Sequence, residues 1–426
     1  MPRIDSSNAS IRAGVCGRSR CCQSQRAGHA RGALGGARVI VRGKLLDGHG
    51  KLVGSGLRIE DGRVAEIFDV EPDVTGWITP GFIDIHCHGG GGSSFPDNPS
   101  PEGVGQAVDA HRALGTTALM ASTVSLIDTL PSIEGLAQAC EEGMLAGIHL
   151  EGPYISPHKA GAQNPVAIRH PDLDELREWL EAGKGWIKMM TIAPEVDNAI
   201  PAMKMLLDYG AVPSWGHTNA DLEKTRTVVK ATAEYAAEIG WTKPPQMATH
   251  LFNAMPPVGH RAPGPVRELV AAAKRGECTV ELVADLVHVH PDLVHDVVEY
   301  VGASNPHGVV FVTDAMEGAG MADGQYVLGG QSVNIVEGTA RLVRGGAIAG
   351  GTSRIAEQVQ RTVRGGYLSM EDAVRCTVAA PAAAVGFDDS TPGVTLEWLV
   401  GAAPNVVVMN DDLDVERVIR EGEILS

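Results

Sequence analysis

Ile78-Thr79-Pro80-Gly81-Phe82-Ile83-Asp84-Ile85-His86-Cys87-His88 (ITPGFIDIHCH, residues 78–88) is an apolar run that ends in two histidines one residue apart. Four glycines, Gly89–Gly92, follow it at once. On a strand, residues i and i+2 point to the same side, so His86 and His88 can converge on one ion while Cys87 turns toward the surrounding helices. A His-x-His taken alone also fits an ordinary polar strand end; the preceding Pro80-Gly81 and the following glycines make this one more specific. The glycine run itself has two readings. It can cradle a phosphate through backbone N–H groups, or it can let the chain pass close to a crowded site without side chains in the way.

Seven further apolar runs follow at regular intervals: residues 116–123, 145–151, 187–194, 211–217, 246–252, 279–288 and 308–314. Between them lie stretches with helical apolar spacing that begin after cap-type residues, such as DLDELREWLEAG (172–183) and DLEKTRTVVKATAEYAAEIG (221–240). Eight strand–helix units in one block predict an α/β chain built on a (β/α)8 barrel over residues 78–387. Residues 39–77 and 388–426 read as short strands joined by Asp-Gly and Asn-Asp turns, and they are expected to combine into one small β-sandwich domain. Residues 1–38, rich in Arg, Ser, Gly and Ala, are expected to be a disordered extension outside the fold.

Metal-competent residues recur where these runs end. His86 and His88 close the first, Glu151 the third, His217 the fifth, His250 the sixth, His288 the seventh and Asp314 the eighth. Barrel active sites are assembled at that face. Glu151 follows Ala146-Gly147-Ile148-His149-Leu150, and a carboxylate ending a buried strand is costly unless it is paired or metal-bound. A salt bridge to a basic residue would satisfy it equally well. His149, deeper on the same strand face, reads as a hydrogen-bonded core histidine, and Asp314 can also be read as a helix N-cap. Lys159 and Arg261 read either as surface charges or as anion contacts.

Composition narrows the function classes. The 426 residues carry a net charge of −17, but residues 1–38 hold seven Arg and one Asp. The rest therefore has 28 basic against 51 acidic side chains, or −23. An acidic body argues against nucleic acid as a partner, and an anionic substrate would need locally placed positive charge. No run reaches the ~18 apolar residues of a membrane span. Seven cysteines, odd in number and unpatterned, do not make a disulfide framework, and a cytoplasmic location is expected.

The entry motif at residues 78–88 resembles that of the amidohydrolase superfamily. Together with HLEGPYISPHKAGAQNP (149–165), SWGHTNA (214–220), ATHLFNAMPP (248–257) and VTDAMEGAG (312–320), it resembles the N-acetylglucosamine-6-phosphate deacetylase family, from about residue 39 to the C-terminus. The resemblance implies hydrolysis of the acetamide of N-acetyl-D-glucosamine 6-phosphate to glucosamine 6-phosphate and acetate, in amino-sugar catabolism and cell-wall recycling. It implies one divalent ion on Glu151, His217 and His250 and a second on His86, His88 and Asp314. Zinc is the default, with iron, manganese or cobalt also suited to such ligands. By the same resemblance Asp314 is the catalytic base and acid, and His288 contacts the sugar near the reacting group. Asn253 and Ala254 contact the phosphate, Ala162 and Ala349 line the sugar site, and Arg261 reaches the phosphate from the neighbouring subunit of a homodimer. Gln163 departs from the histidine common at its place, which puts one substrate contact in doubt, and Pro404-Asn405 replaces a common Ala-Asp pair. Deacetylation of N-acetylgalactosamine 6-phosphate or of an N-acyl amino acid is the alternative within the same chemistry; a non-catalytic scaffold is the alternative outside it.

Overall fold

The opening motif divides between two sheets in the computed structural model, which describes residues 38–426. Trp77–Pro80 pairs in parallel with Arg38–Leu46 and antiparallel with Val406–Met409, so it belongs to the small sheet. The first barrel strand is only Phe82–Asp84. Gly81 joins the two, and a Cβ there would lie 1.9 Å from Thr117 Oγ1, so no side chain fits the crossing. The barrel thus starts later than residue 78. Of the expected extension, Arg38 opens a strand of the small sheet and residues 1–37 lie outside the described residues.

The two ends of the chain do combine. Seven strands form one continuous sheet in the order Glu423–Ile424, Val415–Arg420, Val406–Met409, Trp77–Pro80, Arg38–Leu46, Leu52–Glu60 and Arg63–Ile67. Alternate residues of Arg38–Leu46 are buried, and Val39, Val41 and Leu45 join Leu57, Ile59, Ile78, Val406, Ile419 and Trp398 in a core of their own.

Eight parallel strands make the barrel, each paired with its neighbours in sequence: Phe82–Asp84, Thr116–Ser122, Gly147–Glu151, Ile187–Ile192, Val212–Trp215, Met247–Ala248, Thr279–Leu282 and Val309–Phe311. The ring closes just beyond the first and eighth strands. There Asp314 N–H donates to His86 O (2.9 Å) and His88 N–H to Ala315 O (2.7 Å). The helices between them start where the caps predict: Asp172 accepts from the N–H groups of Asp174 and Glu175 ahead of Leu173–Ala182, and Asp221 from that of Lys224 ahead of Leu222–Glu238. Toward the strand starts, Phe82, Met120, Met189, Val212, Met247 and Val310 share one apolar cluster with the C-terminal helices and with Val407 and Met409 of the small sheet. Truncating one of these methionines to Ala removes roughly 2–5 kcal/mol of stability.

One element has no counterpart in the sequence reading. After the eighth strand the chain makes a three-stranded antiparallel sheet, Gly324–Leu328, Gln331–Val336 and Thr339–Leu342, which packs on Val124, Met316 and Ala349. Among the described residues no helix is long and apolar enough to cross a membrane.

Candidate metal centre

The strands are shorter than their apolar runs, so several site residues sit just past a strand end. His217, His250 and Asp314 all adopt left-handed backbone, with φ of 46°, 27° and 48°. Such conformations are disfavoured for residues with a Cβ and concentrate where surrounding structure holds a functional group in place. Here they turn three side chains from three strands back over the mouth of the barrel.

Glu151, ending the third strand, is the hub. Its Oε1 lies 2.9 Å from His250 Nε2 and 3.1 Å from His217 Nε2, and its Oε2 lies 3.2 Å from His88 Nε2. His217 and His250 approach to 3.0 Å between their Nε2 atoms, and His86 and His88 to 3.2 Å. Asp314 Oδ1 stands 3.2 Å from His88 Nε2 and 3.5 Å from His86 Nε2. The expected six ligands therefore meet in one buried cluster, with Glu151 shared between a His217/His250 group and a His86/His88 group. Among the described residues the carboxylate has no Lys or Arg partner and no helix starts at Asp314, so neither the salt-bridge nor the cap reading applies there.

The donor set fits divalent ions. His86 Nδ1 faces Glu281 Oε2 at 3.0 Å and His217 Nδ1 faces the Lys159 carbonyl at 2.8 Å. Each acceptor assigns the ring proton to Nδ1, so both Nε2 lone pairs point into the cluster. Burial works against a proton on His86, but the Glu281, Asp314 and Glu151 carboxylates outweigh it and hold His86 up to about 10. His88 is likewise held up to about 9, against burial, by Asp314 and Glu151. Burial opposes ionisation of Glu151, but His217, His250 and His88 hold it well below the usual carboxylate range. A bound cation would take the place of those protons.

Below the cluster the barrel interior carries a chain of hydrogen-bonded polar side chains. His149 joins Ser122 Oγ (2.9 Å) to Thr191 Oγ1 (2.8 Å), as a core histidine, and Thr191 continues to Thr249 and Ser214. Cys87 turns away from the cluster toward His111, 3.4 Å from its Nε2. The glycine run serves close approach: a Cβ on Gly89 would meet Ser93 O at 2.3 Å, and one on Gly90 would meet His111 Nε2 at 2.7 Å.

The remaining expected residues take different positions. His288 is nearly buried, with Nδ1 2.8 Å from Asp285 Oδ2; burial works to lower it, but Asp285 and then Asp314 raise it above its ordinary value. Asn253 and Ala254 form the turn after His250, where Asn253 Nδ2 donates to His250 O (3.2 Å) and Ala254 O accepts from Thr218 N–H (3.1 Å). Ala162 and Ala349 both pack against the cluster of the three-stranded sheet. Arg261 is exposed and has no hydrogen-bond or ion-pair partner among the described residues. Lys159 Nζ reaches Met255 O at 3.3 Å.

Three supporting groups escaped the sequence reading. Glu281, fully buried on the seventh strand, accepts from His86 and, at 3.0 Å, from the His250 backbone N–H. Asp285 orients His288. Asp84 lies inside the quoted motif, where it accepts from Thr313 Oγ1 (2.6 Å) and so ties the first strand to the eighth. A carboxylate in the middle of the run at 279–288 was the available signal for Glu281.

Comparison with known proteins gives the family. The amidohydrolase family profile matches residues 77–425. N-acetylglucosamine-6-phosphate deacetylase of Bacillus subtilis is 31% identical over 385 residues, covering 86% of this chain and 91% of that protein. N-acetylgalactosamine-6-phosphate deacetylase of Escherichia coli O157:H7 is 28% identical, covering 91% and 99%. Among solved structures, a mutant of N-acetyl-D-glucosamine-6-phosphate deacetylase from Mycobacterium smegmatis, in complex with N-acetyl-D-glucosamine-6-phosphate, superposes with a TM-score of 0.80 at 34% identity. That match covers 92% of this chain and all of the other.

Proposed function

We propose that this chain, which belongs to the amidohydrolase family, hydrolyses the acetamide of N-acetyl-D-glucosamine 6-phosphate, releasing acetate and D-glucosamine 6-phosphate. The observation that carries the reading is the convergence of His86, His88, Glu151, His217, His250 and Asp314 from five different strand ends on one buried centre. Glu151, His217 and His250 would hold one divalent ion, and His86, His88 and Asp314 a second, with Glu151 between them. Such ions supply Lewis acidity and make water acidic enough to react near neutral pH. Zinc is the ion we favour.

The side chains divide the remaining work. Burial pushes Asp314 up, but His86 and His88 more than offset it and bring its carboxyl to about 2, so it is ionised at neutral pH. It is therefore able to accept a proton from the attacking water and return it to the departing amine nitrogen. His288, held by Asp285, donates a hydrogen bond to the acetyl oxygen as negative charge develops there. Ala162 and Ala349 line the sugar, and Asn253 and Ala254 take the phosphate. Arg261, exposed and unpaired, reaches the phosphate of the neighbouring subunit in a homodimer, which answers the need for positive charge in an acidic body. The reaction belongs to cytoplasmic amino-sugar breakdown.

The N-acetylgalactosamine 6-phosphate relative keeps a second reading in place, because the two sugars differ only in the configuration at one hydroxyl. Acetate release from purified protein on both hexosamine phosphates and on N-acyl amino acids tests the assignment. Turnover that favours N-acetylglucosamine 6-phosphate is expected. No release from it, with brisk turnover of another compound, overturns it.

A further inference from the structure

Gln163 is nearly buried, 4% exposed, yet it lies on the loop after the third strand rather than in a hydrophobic layer. Its amide is fully engaged at both ends. Nε2 donates to Glu151 Oε2, and Oε1 accepts from the backbone N–H of Ser125, just past the second strand. The loop around it is tied down by Gln331 of the three-stranded sheet, which donates to the Ala162 carbonyl. The amide thus ties a fixed backbone point to one particular oxygen of the hub carboxylate.

That oxygen is the one that matters for one ion group only. Oε2 of Glu151 faces His88 at 3.2 Å, whereas Oε1 faces His217 and His250 and stands farther, at 3.6 Å, from His86 Nε2. We propose that Gln163 is a positioning residue that fixes the rotation of the Glu151 carboxylate and so sets the affinity of the His86/His88 ion separately from that of the His217/His250 ion. The inference rests on the metal reading of the centre. A carboxylate is free to rotate about its last torsion unless both oxygens are held, since that torsion is broad. The ion on His217 and His250 would hold Oε1; on the other side Gln163 is the neutral donor that holds Oε2 without adding charge. Hydrogen-bond partners of this kind are worth 10–100-fold in metal affinity.

Gln163→Met keeps the volume and removes both hydrogen bonds; Gln163→Asn keeps the amide but is too short to span Ser125 and Glu151. The two dissociation constants of the metal-stripped full chain are measured for zinc by competition with a chromophoric chelator, with circular dichroism confirming that each variant is folded. The expected result is a 10–100-fold weaker second ion in both variants, with the tighter ion changed by less than about threefold. Two unchanged constants, or an equal loss at both ions, overturn the role given to Gln163. Wild-type protein that binds no divalent ion overturns the metal reading itself, and the inference with it.

Discussion

Glu281→Gln is the perturbation that probes the supporting shell most sharply, because it changes charge with little change in shape. Glu281 Oε2 accepts from His86 Nδ1 and from His250 N–H, each at 3.0 Å. A glutamine oxygen can take both contacts, so the geometry survives while the ionised acceptor becomes neutral. Hydrogen bonds to charged groups contribute roughly 1.5–3 kcal/mol and neutral ones roughly 0.5–1.5, so the swap costs about 1.2 kcal/mol at His86. That corresponds to about a tenfold loss in affinity for the ion on His86, at the lower end of the effect of such partners. A second cost falls on folding. Glu281 Oε1 is buried with no partner among the described residues, and an amide NH2 placed there is an unsatisfied donor costing about 1–3 kcal/mol. Chelator competition reads the first effect and urea denaturation of the metal-free protein the second. Unchanged ion affinity in a folded Glu281→Gln protein would refute the claim that Glu281 orients and charges His86.

Asp314→Asn, assayed with the ion in excess, should lower kcat by about 10²–10⁴-fold while calorimetry still detects substrate binding; unchanged turnover removes Asp314 from proton transfer. Arg261→Ala should raise KM by roughly tenfold or more with kcat changed by less than a few-fold, as expected for a phosphate contact away from the reacting bond. An equal loss in kcat would place Arg261 elsewhere. His111 gives the pH test. Burial is the main cause that pushes its imidazole down to about 4, so below pH ~6.5 the unfolded chain binds a proton that the folded chain refuses. Stability from this group is complete above pH ~6.5 and is lost as pH falls toward 4. Acidification over that window should therefore lower the Tm of wild type more than that of His111→Gln; parallel curves would contradict it.

Much of this was legible in residue order, for physical reasons. Strands buried on both faces read as continuous apolar runs, so the eight barrel strands stood out, and a polar residue closing such a run was conspicuous because burial there needs a partner. The same property hid boundaries. Trp77–Pro80 is as apolar as Phe82–Asp84, and only the pairing with Val406–Met409 reveals that it belongs to the small sheet. The three-stranded sheet escaped because its strands are half-exposed and short, broken by Gly329-Gly330 and Gly338. Glu281 and Asp285 escaped for a different reason: their roles are defined by what they touch, His86 and His288, and nothing in spacing along the chain reports a contact across the barrel. Gln163 was visible as a departure from its relatives, but its partner Glu151 was not.

The central claim is that the six converging side chains make an ion-dependent deacetylase centre. Its most direct test is a titration of zinc into chelator-stripped protein, reading acetate release from N-acetylglucosamine 6-phosphate and bound ion in the same samples. Acetate release should be lost on stripping, return with bound zinc and level off by two ions per chain. Undiminished release by the stripped protein, or none at full occupancy, would contradict the account.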